Sequence, residues 1–224
     1  MSHARPRVSL DHVLVAVGDL GDSARRFTSR YGLQALEGGR HPGVGTANMI
    51  VPLESAYLEL IAAVDTAEAA ETPSGRRIAQ AVAGGHTFAG WAVRTGDLDA
   101  LRVHLRERGL DLPEPNPGAR RRPDGVLLKW RTQFLTPFEV PSVLPFVIEW
   151  SVPAGMHPAE AAARHPSGAG RIRSIRLGDP HASRATEQLR VLLGDDIDAV
   201  VEDAGSSGVL SVEVETPNGV IVIR

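Results

Sequence analysis

Three stretches of the chain follow one pattern. An apolar run ends in Gly-Asp and gives way to an amphipathic segment. Residues 10–20 end in Gly18-Asp19-Leu20 and lead into the segment 23–27. Residues 88–98 end in Gly96-Asp97-Leu98 and lead into 101–105. Residues 172–179 end in Gly178-Asp179 and lead into 184–193. Apolar runs of this length read as strands, and the segments that follow repeat with helical spacing. Asp ahead of a helix caps its unpaired amides. Further strands are predicted at 33–37, 46–51 and 56–64, then at 126–135 and 144–151, then at 199–202, 209–215 and 220–223, with Asn218-Gly219 as a hairpin turn. The implied unit is β-α followed by two or three antiparallel strands. It covers residues 8–64, recurs over 86–151, and recurs in partial form over 171–224.

The segments between units read as connections. Residues 66–75 form a linker, and a short helix over 76–83 precedes the second unit. Residues 113–125, with four prolines and the triplet Arg120-Arg121-Arg122, read as an excursion or flap. The triplet reads as a solvated loop, with anion binding as the alternative. Residues 153–170 are rich in Ala, His, Pro and Gly and read as a partly mobile joint.

Composition narrows the chemistry. The 224 residues carry 24 basic and 27 acidic side chains, a formal charge of −3. No basic face for nucleic acid or an anionic membrane is implied. Cysteine is absent, so disulfides, thiolate metal sites and cysteine nucleophiles are excluded. No leader or membrane span is expected, which points to the cytoplasm.

Polar intruders in apolar strands are the candidate site residues. His12 shares its strand face with Leu10 and Leu14, while Val13, Val15 and Val17 point the other way. Alone, it reads as a core histidine bonded to a carbonyl. Glu59 and Glu149 each stand in the last strand of their unit among large apolar residues. Each alone is as readily a solvent-facing position. Together with His12 they make a set of one nitrogen and two carboxylates, suited to a divalent metal with open positions. His104 reads as solvent-facing on its helix, His157, His165 and His181 as linker or cap residues, and His3 as part of a frayed terminus. No Gly-x-Ser-x-Gly nucleophile elbow is present.

The Leu-Asp-His-Val start at 10–13, the Tyr-Leu-Glu-Leu strand at 57–60 and the repeated unit resemble the vicinal oxygen chelate superfamily. The stretch 38–48, Gly-Gly-Arg-His-Pro-Gly-Val-Gly-Thr-Ala-Asn, resembles its glyoxalase-like branch. The resemblance implies an α+β fold of paired βαβββ modules forming a curved, incomplete barrel, with a partial third module alongside. It implies metal ligands at His12, Glu59 and Glu149, with Gly90 at the fourth ligand position, where no side chain can ligate. Glu149 is then the expected catalytic base, and His41, Asn48 and Trp91 are expected substrate contacts. The implied cofactor is a divalent ion: Zn, Mn, Fe(II), Ni or Co. The implied activity is that of a lyase or isomerase on a small oxygen-chelating substrate, with ring-cleaving dioxygenase chemistry disfavoured. The alternative is a metal-free protein that sequesters a small molecule. The expected partner is a small-molecule substrate, without nucleic acid or membrane, in a possible homodimer.

Overall fold

The computed structural model describes residues 6–195 and 197–224; His3 lies outside them. Eight strands close into a barrel. In chain order they are β1 (Val8–Ala16), β2 (Leu36–His41), β3 (Thr46–Leu53), β4 (Ala56–Ala63), β5 (Phe88–Thr95), β6 (Asn116–Arg121), β7 (Leu127–Gln133) and β8 (Phe146–Ser151). Around the barrel the order is β1-β4-β3-β2-β6-β7-β8-β5, and β5 closes on β1. β1 runs parallel to β4, and β5 runs parallel to β8. The remaining neighbours are antiparallel.

The barrel is therefore closed rather than incomplete. Closure comes from the segment expected to be a flap. Residues 116–121 form β6, which pairs with β7 along its length and meets β2 at Arg40–Arg121. The seam between β1 and β5 is longer, running from Val8–Thr95 to Val15–Phe88.

Helices α1 (Leu20–Tyr31) and α4 (Leu98–Arg106) start where the Gly-Asp pairs place them. Asp19 accepts from the Asp22 amide and Asp97 from the Ala100 amide. The stretch expected to be a linker at 66–75 folds instead into α2 (Thr66–Ala70) and the start of α3 (Pro73–Ala83). Asp65 and Thr72 cap these two helices, and Pro73 sits in the first turn of α3, where its missing N–H costs nothing.

The C-terminal residues form a separate sheet, β9 (Ile172–Asp179), β10 (Ala199–Asp203), β11 (Gly208–Thr216) and β12 (Gly219–Ile223), in the order β10-β9-β11-β12. Helix α5 (Ala182–Leu193) lies between β9 and β10 in sequence. Here the Gly-Asp pair is not a helix cap. Asp179 accepts from the His181 amide and the Ser207 hydroxyl instead.

The main apolar core lies outside the barrel. It joins Val13, Leu58 and Val93 of the barrel to Phe27 of α1, Leu101 of α4, and Ile175 and Val212 of the C-terminal sheet. Each such fully buried side chain contributes about 1.5–3 kcal/mol. Trp91 belongs to this core, and its indole donates to the Val143 carbonyl at 2.9 Å. His104 is buried on α4 rather than facing solvent. The joint at 153–170 is tied down. His165 accepts from the Gln34 amide through Nδ1 and donates to the Pro52 carbonyl through Nε2, and Ser167 donates to the Gly32 carbonyl.

Candidate active site

With the main core outside, the barrel interior holds a cavity of about 390 Å³. Its polar groups come from β1, β2, β3, β4 and β6, and its aromatic wall from β7, β8 and the segment 134–138.

His12 reaches the cavity because β1 carries a bulge at Asp11. Leu10 pairs with Val93 and His12 with Ala92, so Asp11 is the extra residue. The insertion changes the strand's phase. Leu10 packs on the outer core with Val13 and Val15, while His12 and Leu14 line the cavity. Sequence alternation had put Leu10 on the face of His12; the bulge corrects this.

Asp11 is fully buried and collects donors from three directions. His12 Nδ1 lies 2.6 Å from Oδ1, and Trp150 Nε1 and His157 Nε2 lie 3.1 and 2.9 Å from Oδ2. Burial works to raise its pKa, but hydrogen bonds from His12 and His157 outweigh it and hold the carboxyl well below the usual range. An ionised carboxylate only accepts, so His12 carries its proton on Nδ1 and turns Nε2 to the cavity. His157 is fixed in the same way, since its Nδ1 accepts from the Ala159 amide. His12 also stacks on Tyr57, with ring centroids 4.7 Å apart. Burial, then the charges of Asp11 and Glu59, hold the Tyr57 hydroxyl well above its ordinary pKa and keep it neutral.

Glu59 on β4 is 6% exposed, between the cavity-lining Tyr57 and Ile61. His12 Nε2 is 3.4 Å from its Oε2, and His41 Nε2 is 3.7 Å from its Oε1. Asn48 Nδ2 donates to Oε1 at 2.5 Å, and the Asn48 carbonyl accepts from Arg120 NH1 at 2.9 Å. Burial is the main cause holding His41 below its ordinary pKa; the Glu59 charge opposes it, while Arg120 and His12 add to it. His41 Nδ1 is bonded to the Thr46 hydroxyl at 2.9 Å.

Four of the expected residues thus meet: His12, Glu59, His41 and Asn48. Glu149 does not join them. Its neighbours Ile148 and Trp150 line the cavity, so Glu149 points outward. There its Oε1 accepts the Leu98 amide at the start of α4, and its Oε2 pairs with Arg131 at 2.6 Å. An outward carboxylate at a helix N-terminus beside an arginine explains the charge without a ligand. Trp91, expected at the substrate, is a core residue instead.

The expected metal set is tested by this arrangement and does not fit. Among the described residues no group of three or more His, Cys, Asp or Glu side chains is arranged to hold a metal ion. Glu149 is on the wrong face, Glu59 Oε1 is already occupied by Asn48, and the Arg120 cation stands behind that amide.

Two participants escaped the sequence reading, Asp11 and His157, and a third was placed in the wrong setting. Asp11 was hidden by its bulge. Arg120, read as part of a solvated loop with anion binding as the alternative, is 3% exposed in the wall. His157 was placed in a linker, and only the fold brings it to Asp11, 146 residues away. A buried charge one residue from a candidate histidine was the available signal for Asp11.

The fold matches that of a hypothetical protein from Staphylococcus aureus, with a TM-score of 0.77, 17% identity, and coverage of 93% of this chain and 91% of that one. Smaller likenesses are found to methylmalonyl-CoA epimerase from Streptomyces coelicolor (TM-score 0.49, 20% identity, 66% and 100% covered) and from Mycobacterium tuberculosis (TM-score 0.46, 21% identity, 67% and 91% covered). No curated protein sequence matches. No helix among the described residues is long and apolar enough to cross a membrane. Residues 10–193 match the model of the glyoxalase-like domain, so the chain belongs to that family, within the vicinal oxygen chelate superfamily.

Proposed function

We propose that the protein is a small-molecule isomerase or lyase that moves a proton at a carbon next to a carbonyl group. One observation carries the reading: a buried carboxylate, Glu59, lies 3.4 and 3.7 Å from two imidazoles in the wall of a cavity that also carries aromatic rings. In the reading, Glu59 takes the proton from carbon. His12, its Nδ1–H held by Asp11, exchanges that proton through Nε2 and returns it to a second atom. His12 Nε2 lies 3.4 Å from Glu59 Oε2, close enough for the proton taken from carbon to pass between them, so the two act as one acid–base couple. His41 stays neutral near pH 7 because burial depresses its pKa. With Thr46 donating to Nδ1, its Nε2–H is free to stabilise the developing enolate oxygen.

The expected divalent ion has no step in this reading, because the donor set does not suit it. The sequence-based alternative, sequestration without chemistry, is favoured by the aromatic wall.

Deuterium uptake separates these readings. Small 2-oxo acids and hydroxy ketones are incubated with EDTA-treated protein in D2O, and exchange beside the carbonyl is followed by NMR. Enzyme-dependent uptake is expected for at least one compound, reduced about 100-fold or more in Glu59→Gln. Binding without uptake supports sequestration. Uptake that appears only on adding Zn, Mn, Fe(II), Ni or Co replaces the proposal with a metal centre.

A further inference from the structure

Among the described residues three arginines are buried, Arg77, Arg102 and Arg120, and of these Arg120 alone lines the cavity. Arg77 lies away from it and bonds the Ala89 carbonyl. Arg102, also buried, is paired with the Glu114 carboxylate at 3.0 Å and bonded to the Pro113 carbonyl. Arg120 is 3% exposed, and its one side-chain hydrogen bond among the described residues goes to the neutral amide of Asn48. No carboxylate of the described residues lies within ion-pair distance of it. A guanidinium has five N–H donors and does not lose its charge in proteins. Burying one without a counter-charge is costly unless something completes it.

The fold makes room for this arrangement. Arg120 on β6 reaches across β2 to Asn48 on β3, 72 residues away. It passes over Gly38, where a Cβ would overlap both the Asn48 carbonyl oxygen and Arg120 NH1. A side chain at that position would close the path. Arg120 also lines the cavity, together with the rings of Trp130 on the adjacent strand β7 and of Trp150 and Phe146 on β8.

We propose that Arg120 is the anion-recognition group of the cavity, and that the ligand is a small organic carboxylate whose charged end pairs with this guanidinium while its apolar body lies against Trp130, Trp150 and Phe146. The carboxylate is favoured over a phosphate by the donor count. One planar guanidinium edge matches two carboxylate oxygens, whereas a phosphate dianion calls for several donors. The volume of about 390 Å³ lies at the small end of ligand cavities and suits a compact acid. The Asn48 amide lies between Arg120 and Glu59, which keeps the two charges from cancelling directly and sets the bound anion one residue away from the acid–base couple. This deepens the proton-transfer reading and rests on it only for where the reacting carbon lies.

The test uses inert ligands, so binding is read apart from chemistry. Calorimetric titrations compare acetate, phenylacetate and phenylbutyrate with their amides, and with phenyl phosphate. At least one acid is expected to bind wild-type protein about 10–100-fold more tightly than its amide, the range for a charge-assisted hydrogen bond. Arg120→Gln is expected to remove that preference while leaving the amide's affinity in place. Arg120→Lys, which keeps the charge without the planar fork, is expected to fall between. Glu59→Gln is expected to bind the acid at least as well as wild type, since a nearby negative charge is gone. If Arg120→Gln does not fold, the wild-type acid-to-amide ratio and Arg120→Lys decide. The proposal is overturned if no acid binds more tightly than its amide, if Arg120 variants leave the preference unchanged, or if phenyl phosphate outcompetes every carboxylate. The two readings fail separately. An acid preference with no Glu59-dependent deuterium uptake overturns only the proton-transfer reading, and uptake without an acid preference overturns only this one.

Discussion

Asp11 is wholly buried and still ionised, because its hydrogen bonds outweigh the cost of burial. Its value to the site is directional: it decides which nitrogen of His12 faces the cavity. Asp11→Asn keeps the shape but offers an N–H where an acceptor was needed, which turns the imidazole toward the wrong tautomer. Deuterium uptake is expected to fall about 100–10,000-fold, the scale on which an orienting carboxylate acts in a histidine couple. The same residue shapes acid stability. Its pKa is depressed in the folded protein, so its contribution is present above the ordinary value of 3.8 and is lost as pH falls below it. A plot of Tm against pH is expected to fall steeply below about pH 4 in wild type and more gently in Asp11→Asn. Equal acid slopes in the two proteins would show that Asp11 stores no such stability.

Strand phase determined which site residues could be read in advance. In β4, Glu59 is the one charged residue in an apolar strand, which made it a candidate, whereas Asn48 on β3, paired with Ile61 rather than with Glu59, was reached only through the family resemblance. In β8 both faces are apolar, as Val147 packs outside and Ile148 inside. Alternation then gives no phase, and Glu149 could not be assigned to a face without Arg131 and α4. β6 was missed for another reason. Pro117 and Gly118 look like loop residues, yet here they occupy a strand that meets β2 only at Arg40–Arg121. That seam leans on Gly39, at φ +143°, where a Cβ would overlap the Arg121 carbonyl. Gly39→Ala is expected to cost about 1–3 kcal/mol. It should speed amide exchange over 36–41 and 116–121 while the β1–β5 seam stays protected. Gly96→Ala, where a Cβ meets nothing, serves as the control.

At the scale of the whole molecule, the C-terminal sheet and the barrel share one apolar core through Ile175, Val212, Val93 and Trp91. They are expected to unfold together. Urea transitions followed by tryptophan fluorescence, which reports only barrel positions 91, 130 and 150, and by far-UV circular dichroism are expected to coincide. Ile175→Ala, at a fully buried position of the sheet, should lower both by about 2–5 kcal/mol. A shift confined to circular dichroism would show the sheet to be independent. The outward turn of Glu149 has a consequence for how such a protein changes over generations. Reagents sit on one side of the barrel and the aromatic lining on the other, so β7 and the segment 134–138 are free to be recut for a new guest while the proton-handling groups stay as they are. Trp150 is held out of that freedom, because its indole N–H is one of the donors that keep Asp11 charged. Under the proposed function, substrate range is then an easily evolved property of this barrel, and its chemistry a conservative one.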